Sequence, residues 1–261
     1  MKNLRIYGKE PFNVAVIHGG PGAPGSMAPI ARELAAQWGI LEPLQTAFSV
    51  DGQIQELHDV LQENADTPVT LVGHSWGAML SLLFAARYPE LTKKLILVSS
   101  GCFEEQYAAD IMKTRLERLN QEDNHELESL MTALENSSTQ EQNLMLARLG
   151  ELCTKADSYD PLTMESEILQ CQYDLHISVW NEAQILRKQE EFLEAAKKIK
   201  CQVVAIHGDY DPHPAEGVQK PLIPIIKDFQ FILLNKCGHQ PWIERYAKDE
   251  FYRILREELS C

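Results

Sequence analysis

The sequence has little of what directs a chain to nucleic acids or membranes. Its 24 lysines and arginines are outnumbered by 38 aspartates and glutamates, giving a formal net charge of −14. Nucleic-acid binding requires a basic surface, and anionic lipid repels a chain of this charge. No stretch approaches the roughly 20 apolar residues of a transmembrane helix. These absences argue against nucleic-acid and membrane partners and favour a neutral or cationic small-molecule or short-peptide substrate.

Cysteine is also scarce, and its distribution excludes the usual cysteine-rich sites. The six cysteines form no C-x-x-C pair and no cluster with zinc-site spacing. A chain of 261 residues has core enough to fold without disulfides, and its first residues lack the apolar run of a signal peptide. No phosphate loop and no G-x-G-x-x-G motif occurs. We therefore expect a reduced, cytoplasmic protein that uses no metal and no cofactor.

What the sequence does contain is an alternation of short apolar runs with helical patterns. Runs typical of buried strands occupy 12–18, 39–44, 68–72, 94–99, 201–207 and 229–234. Apolar residues at helical spacing follow the first three runs, and an amphipathic helix follows the last. Strands that are apolar throughout and alternate with helices predict an α/β fold with a parallel sheet covered on both faces.

The middle of the chain differs from both ends. Residues 102–199 contain no β-rich run and instead carry charged segments with apolar stripes at helical spacing. The strand pattern returns immediately afterwards. We predict that 102–199 is an all-helical insertion in an α/β core formed by 1–101 and 200–261, sizes that are ordinary for domains.

A candidate nucleophile lies where a strand pattern meets a helical one. Gly73-His74-Ser75-Trp76-Gly77 matches G-x-S-x-G, the pattern of a sharp strand-to-helix turn that exposes a serine hydroxyl above a sheet. The helix N-terminus at this point favours developing negative charge. A serine that merely caps the helix is the alternative, and the strand-to-helix context makes it the weaker one. We predict that Ser75 is the nucleophile.

A nucleophilic serine needs a base and a carboxylate that orients the base. His239 follows the last strand pattern, at the edge where parallel sheets present catalytic groups. Asp209 and Asp211 both follow the preceding strand; Asp211 lies further into its loop and is favoured, whereas Asp209 suits a turn cap. His213 is the competing base. Ser75, Asp211 and His239 also occur in the chain order that this type of triad uses.

The glycine-rich segment 18–22 supplies the remaining part of an acyl-transfer site. Two backbone donors must meet the developing oxyanion, and we predict the N–H groups of Gly20 and Trp76. His18 and Gly19 in this segment are candidate substrate contacts.

Taken together, segments 18–22, 73–77, 208–211 and 238–239 resemble the α/β-hydrolase family over nearly the whole chain. His-Gly-Gly-Pro-Gly with Ser-Trp-Gly is most similar to the proline iminopeptidase-like and capped esterase branch. The resemblance implies an α/β-hydrolase fold, with a mostly parallel sheet flanked by helices and a helical cap over the active site. Because caps of this family line the substrate pocket, the resemblance also makes Cys102, Phe103 and Trp180 candidate substrate contacts. It also implies a serine hydrolase (EC 3) with a Ser-Asp-His triad and an oxyanion hole.

The substrate is less well specified than the triad. His74 stands where proline iminopeptidases usually have glycine, and 44–50 replaces their Asp-x-x-Gly-x-Gly-x-Ser stretch. We therefore predict an esterase-like hydrolase that forms an acyl-enzyme on a small ester or amide. The alternative is a proline iminopeptidase-type aminopeptidase, in which Glu104 and Glu105 could hold the substrate amine. A lyase or C–C hydrolase using the same triad, and a ligand-binding receptor of this fold, also remain open.

Overall fold

The computed structural model describes residues 3–134, 138–163 and 167–260. Seven strands are present: β1 Leu4–Tyr7, β2 Phe12–Ile17, β3 Gly39–Pro43, β4 Val69–His74, β5 Thr92–Val98, β6 Gln202–Gly208 and β7 Phe229–Leu234. They form one sheet in the order β1-β3-β2-β4-β5-β6-β7. Only the pairing of β1 with β3 is antiparallel. The predicted α/β fold with a mostly parallel sheet is confirmed.

Eleven α-helices surround the sheet in the described part of the chain. They are α1 Ala28–Leu34, α2 Val50–Asn64, α3 Trp76–Arg87, α4 Glu105–Ala108, α5 Ile111–Arg118, α6 Gln121–Leu134, α7 Thr139–Asp157, α8 Tyr173–Lys188, α9 Glu191–Ala196, α10 Glu216–Leu222 and α11 Lys248–Ser260. None of these helices has both the length and the apolar character needed to cross a membrane.

Both faces of the inner strands of the sheet are buried, which explains why these strands are largely apolar. Successive side chains of a strand point to opposite faces. On β2, Ala15 and Ile17 join the core formed with α2 and α3, whereas Val14 and Val16 join the core formed with α1 and α11. With both faces covered, both sets of positions are mostly apolar, and the buried charged residues Glu42 and Lys94 each have a specific partner. The sheet is therefore held rigidly between two layers of helices, and the loops at the carboxyl ends of its parallel strands lie at one edge.

The described residues between β5 and β6 are helical, and we call them the helical insert. They form α4–α9 and contribute no strand to the sheet; their one β-bridge, Pro161 with Glu244, is isolated. A small core of its own, centred on Leu127 and Leu152, holds α5–α7 together. Phe192 of α9 packs into the main core instead, so the insert is attached to the sheet domain by buried apolar contacts.

Candidate active site

Ser75 occupies the sharp turn between β4 and α3. Its φ of 54° and ψ of −117° are strained for a residue with a side chain. The turn is possible because Gly77 has no side chain: a Cβ there would lie 2.2 Å from the carbonyl oxygen of Ile17 on β2. The Ser75 side chain makes no capping hydrogen bond to α3. The local structure is therefore the sharp turn predicted for a nucleophile, and the capping alternative has no support.

Asp211 and His239 meet above the ends of β6 and β7. His239 Nδ1 lies 2.7 Å from Asp211 Oδ2. Burial by itself would raise the pKa of Asp211, but the neighbouring histidines, His239 first, hold this pKa well below the usual range. An ionised carboxylate only accepts hydrogen bonds, so His239 carries its proton on Nδ1. Its Nε2 then has a free lone pair, the arrangement that a general base requires.

The same contact sets the basicity of His239. Burial lowers the pKa of this imidazole, but the charge of Asp211 and the hydrogen bond to it outweigh burial, and the net shift is upward. Asp209, the other candidate acid, has a different role. Its Oδ1 accepts the backbone N–H of Cys237 at 3.1 Å, so it fastens the loop that precedes His239. This bond links two loops and is different from the local turn cap that the sequence predicted.

His213, the competing base, binds the other oxygen of the same carboxylate. Its backbone N–H and its Nδ1 each lie 2.9 Å from Asp211 Oδ1. Its ring stacks on that of His239, with centroids 4.5 Å apart and planes 23° from parallel. The two histidines that the sequence offers as alternatives are therefore both bonded to one acid.

These three side chains are also the one group in the described residues with donor atoms spaced for a metal ion. The ligand atoms of Asp211, His213 and His239 lie within 4.8 Å of one another. Each Nδ1, however, points its proton at a carboxylate oxygen. Hydrogen bonding satisfies these atoms without a metal, and a metal ion would have to displace both protons.

His74 connects the serine turn to the base loop. Its Nε2 donates to the backbone oxygen of His239 at 2.9 Å, and its ring lies edge-on to Trp242 with centroids 4.7 Å apart. Burial lowers the pKa of His74 to about 3, so the ring stays neutral. The sequence predicted a packed residue pointing away from Ser75. The structure adds that its ring supports the backbone of the candidate base.

The glycine-rich loop after β2 lies against the serine turn. A Cβ on Gly19 would lie 2.7 Å from His74 Nδ1 and 3.1 Å from Ser75 Cβ, so only glycine allows this approach. Among the described residues, the N–H groups of Gly20 and Trp76 donate to no protein acceptor. Trp76 begins α3, where the first amides have no carbonyl partner within the helix. Both predicted oxyanion donors are thus free for a ligand.

His18 controls the direction of one of these donors. Its Nδ1 donates to the carbonyl oxygen of Gly19 at 3.0 Å, and its Nε2 accepts the N–H of Gln45 at 3.2 Å. In a trans peptide the C=O and the following N–H point in opposite directions. Turning the Gly19 carbonyl toward His18 therefore turns the Gly20 N–H away from it. Burial lowers the pKa of His18 to about 4, which keeps this arrangement neutral.

The predicted substrate contacts are not equivalent in the structure. His18 is fully buried with both ring nitrogens bonded within the protein, so it supports the loop and is not placed to bind substrate. Phe103 packs against Phe192 in the core, and the Cys102 thiol faces the Tyr107 carbonyl oxygen at 3.6 Å. Substrate contact by Cys102, Phe103, Trp180 or the Gly19 backbone stays a prediction.

The helical insert contacts the glycine-rich loop after β2, which we call the oxyanion loop because it carries the predicted Gly20 donor, through residues that sequence reasoning assigned no role. His176 Nδ1 donates to the carbonyl oxygen of Pro21 at 2.8 Å, and its ring is parallel to that of Trp180 within 10°. The backbone N–H of Gln172 donates to Gly22 at 2.9 Å, and that of Leu169 to Pro24 at 3.0 Å. The Trp180 ring lies 6.3 Å from that of His176, centroid to centroid.

The insert also holds the acid and base loops, mainly through charged groups. Arg115 forms a two-point ion pair with Asp157, at 2.8 and 2.6 Å, and the Asp157 carbonyl accepts the backbone N–H of His239 at 2.9 Å. Glu244, which is fully buried, accepts three backbone N–H groups, including that of Gly238 at 2.8 Å. No sequence motif marks such residues, because an isolated acid looks the same whether its partner is water or a buried amide.

Comparison with known proteins places this arrangement in a family. A sequence model of the alpha/beta hydrolase fold family matches residues 20–245. The chain is 37% identical over 57 residues to the cis-3-alkyl-4-alkyloxetan-2-one decarboxylase of Shewanella oneidensis, a match covering 22% of this chain and 18% of the relative. It is 27% identical over 134 residues to the proline iminopeptidase of Saccharolobus solfataricus, covering 45% and 42%. The matched regions thus make up less than half of either relative.

A solved structure extends the likeness to the whole fold. The crystal structure of VinJ superposes with a TM-score of 0.69 at 18% identity, covering 98% of this chain and 94% of that one. The family match runs from Gly20 in the oxyanion loop to beyond His239. This chain therefore belongs to the alpha/beta hydrolase fold family.

Proposed function

We propose that the protein is a serine hydrolase that acts through an acyl-enzyme on a small ester or amide. Ser75 is the nucleophile, His239 the general base and Asp211 the acid that orients it. The observation that carries this proposal is the 2.7 Å contact between His239 Nδ1 and the ionised, fully buried Asp211. This contact leaves His239 Nε2 unprotonated. The hydrogen bond from His74 Nε2 to the backbone oxygen of His239 joins the loop that carries the base to the residue next to Ser75.

The chemistry follows from these roles. Ser75 Oγ attacks the substrate carbonyl carbon while its proton moves to His239 Nε2. The negative charge that forms on the carbonyl oxygen is met by the N–H groups of Gly20 and Trp76, which are fixed before the reaction begins. The intermediate collapses, the leaving group takes the proton from His239, and the acyl group remains on Ser75. Water then reverses these steps and releases the acid.

Covalent labelling tests the nucleophile directly. We expect a fluorophosphonate to add one phosphonyl group to the wild-type protein at Ser75 and none to Ser75→Ala. Ser129→Ala, a matched change of an exposed serine on α6, should be labelled like the wild type. Turnover by Ser75→Ala should fall about 10⁴-fold or more with little loss of stability. An unlabelled wild-type protein, or labelling that persists in Ser75→Ala, would contradict the proposal.

A substrate panel separates ester from peptide hydrolysis. The partial match to a proline iminopeptidase and the His-Gly-Gly-Pro-Gly loop favour an aminopeptidase as the second candidate. Of the two acids considered for the substrate amine, however, Glu105 pairs with Arg187 at 2.9 Å and Glu104 accepts from Gln106 at 2.9 Å. We therefore expect p-nitrophenyl esters to be better substrates than prolyl-naphthylamide. The reverse ranking would assign the peptidase function.

We further propose that residues 102–199 act as a cap that shapes the acyl pocket. The support is the hydrogen bonding of the helical insert to the oxyanion loop, described above for His176, and the stacking of Trp180 on the His176 ring with centroids 6.3 Å apart. Trp180→Ala should change the ratio of kcat/KM between long and short acyl chains about tenfold. Leu144→Ala, at a position 69% exposed on α7, is the control and should leave the ratio unchanged. Equal ratios in both variants would remove Trp180 from the pocket.

A further inference from the structure

In the described part of the chain, β7 is the outermost strand of the sheet and has β6 as its one neighbour. Its sequence, Phe229-Gln-Phe-Ile-Leu-Leu234, is apolar except for the glutamine. Even so, Leu234 alone is buried, and Leu233 is 47% exposed, whereas β6 beside it is buried at all positions but the first. An apolar strand left half-exposed at the edge of a sheet offers a surface to which another strand can add.

The hydrogen bonds to β6 show which backbone groups of β7 point outward. At the start of β7, the carbonyl oxygen of Asp228 accepts the N–H of Val203 at 2.9 Å. At its end, the carbonyl oxygen of Leu234 accepts the N–H of Asp209 at 2.9 Å. Because a strand repeats every two residues, the even-numbered residues of β7 bond to β6 and the odd-numbered ones face away. Among the described residues, no hydrogen bond is found to the backbone of the odd-numbered set, which is Phe229, Phe231 and Leu233.

An identical strand that runs in the opposite direction fits this edge. In an antiparallel pair, directly opposite residues exchange both N–H···O=C bonds at every second position. If Phe231 lies opposite the partner's Phe231, then Phe229 lies opposite the partner's Leu233, and the same holds with the copies exchanged. Each odd-numbered residue then meets another odd-numbered residue, and no outward-facing N–H or C=O of either strand is left without a partner.

Side chains and charges agree with the same register. The odd-numbered side chains of the two copies would lie on one face of the joined sheet, where aromatic and aliphatic pairs across strands are favourable. Asp228 directly precedes the strand and Lys236 follows it by two residues. In the antiparallel pair, the acid at the start of one strand comes toward the base at the end of the other. Opposite charges therefore meet at both ends of the pair.

The other edge of the sheet lacks these properties. β1 has four residues, and one of them is Arg5; short length and charge are common means of preventing edge strands from pairing. β7 is longer and contains neither a charged residue nor proline. Ile6 of β1 is 52% exposed, close to the value for Leu233, so exposed apolar surface alone does not distinguish the two edges.

We propose that the protein forms a two-fold dimer in which β7 of each copy pairs antiparallel with β7 of the other, centred on Phe231, so that the two sheets become one. Two strands of six residues form a small interface, and we expect a reversible dimer with a Kd on the order of 10 µM. Because the two β7 strands run in opposite directions, the loops that follow them, each with its His239, lie at opposite edges of the joined sheet.

Sedimentation velocity over a range of protein concentrations tests the interface. Leu233→Lys places a charge opposite the partner's Phe229, twice per dimer, and should raise the Kd about tenfold or more. Ile6→Lys, the same kind of change at a similarly exposed position on the other edge strand, should leave the Kd unchanged. A wild-type protein that stays monomeric at about 100 µM, or a dimer that Leu233→Lys weakens no more than Ile6→Lys does, would overturn the proposal.

Disulfide crosslinking tests the register. Phe231 is the residue of β7 that lies opposite its own copy, at a Cα–Cα distance of about 5.5 Å, which a disulfide can span. Phe231→Cys should therefore form a covalent dimer on mild oxidation, above the level that the native cysteines give in the wild type. Leu233→Cys, about 14 Å from its counterpart, should not, and the reverse result would overturn the proposed pairing. Because Phe231 also packs against the core, Leu233→Lys carries the test if Phe231→Cys does not fold.

Discussion

The loops on the two sides of Ser75 are held by different kinds of contact. On the acid and base side, the contacts involve buried charge: Arg115 pairs with Asp157, and fully buried Glu244 accepts backbone N–H groups from the base loop and from the insert. Arg118 stacks over the Tyr210 ring at 3.7 Å and donates to its carbonyl oxygen at 2.8 Å. Each charged group here is satisfied by a specific partner.

On the oxyanion side, the hydrogen bonds that the described residues make to the loop after β2 are all between neutral groups. His18 and His176 donate to the carbonyl oxygens of Gly19 and Pro21. Both rings have a pKa lowered by burial, and the other contacts to this loop from the insert are backbone hydrogen bonds. Removing a neutral hydrogen bond costs about 1 kcal/mol, whereas removing one partner of a buried ion pair leaves an unpaired charge and costs about 3–5 kcal/mol. The base side should therefore be intolerant of change and the oxyanion side tolerant.

The largest effect on turnover should come from removing the charge of Asp211, to which His239 is hydrogen-bonded. Asp211→Asn keeps the shape of the side chain but no longer requires a proton on His239 Nδ1, so the wrong tautomer becomes available. Turnover should fall on the order of 10⁴-fold. Asp209→Asn, the matched change two residues earlier, affects only the hydrogen bond to Cys237 and should cost far less. Steady-state kinetics on the best ester decide between them, and the opposite ranking would give the catalytic role to Asp209.

The next effect concerns stability. Asp157→Asn leaves the Arg115 charge buried without its partner and should lower the free energy of unfolding by about 3–5 kcal/mol. Arg148 and Glu126 form a similar two-point pair, at 2.7 and 2.8 Å, but their side chains are 45% and 37% exposed. Glu126→Gln should therefore cost at most about 1 kcal/mol. Urea unfolding measures both, and equal costs would remove the distinction between buried and exposed pairs.

This difference also explains how much of the site could be predicted from the sequence. The serine turn was predictable because it combines a local motif with the strand and helix patterns on either side of it. Asp211 and His239 were predictable because parallel strands bring the loops after them to one edge. Apolar runs in the sequence marked the neighbouring strands β6 and β7 and also the strands β2–β5 before the insert. The short β1, whose residues are largely half-buried, was the exception and had no clear pattern.

What the sequence did not indicate was the support of these residues. Glu244 binds amides at Tyr159 and Asp160, more than 80 positions away in the chain, and nothing local marks it as buried. His213 was recognised as a competitor of His239, yet only the folded loop shows that both bind Asp211 at once. Burial and pairing of polar groups depend on which distant segments meet, and that information is absent from local periodicity and spacing.

On the oxyanion side we expect a small effect. His176→Ala removes the donor to the Pro21 carbonyl, while the backbone bonds from Gln172 and Leu169 to the same loop remain. The rate of acylation should fall about three- to tenfold, with a stability loss near 1 kcal/mol. His176→Asn keeps an N–H close to the Nδ1 position and should recover most of the rate. A stability loss as large as that of Asp157→Asn would show that the two sides do not differ.

The smallest change should appear in the pH dependence. His239 must be neutral to act as a base, and its pKa is raised above the ordinary histidine value of 6.5 because Asp211 outweighs burial. The value of kcat/KM should therefore fall as the pH is lowered through a midpoint above 6.5, because protonated His239 cannot act as a base. In Asp211→Asn, the Asp211 charge no longer outweighs burial, while the smaller effects of Asp157, which raises the pKa of His239, and of Arg115, which lowers it, remain. The pKa of His239 should therefore fall, and the residual activity should persist to a lower pH. His213, whose pKa is lowered by burial, stays neutral over this range and does not contribute. Asp209→Asn should keep the wild-type midpoint; a midpoint that fails to move in Asp211→Asn would mean that the Asp211 charge does not set the basicity of His239.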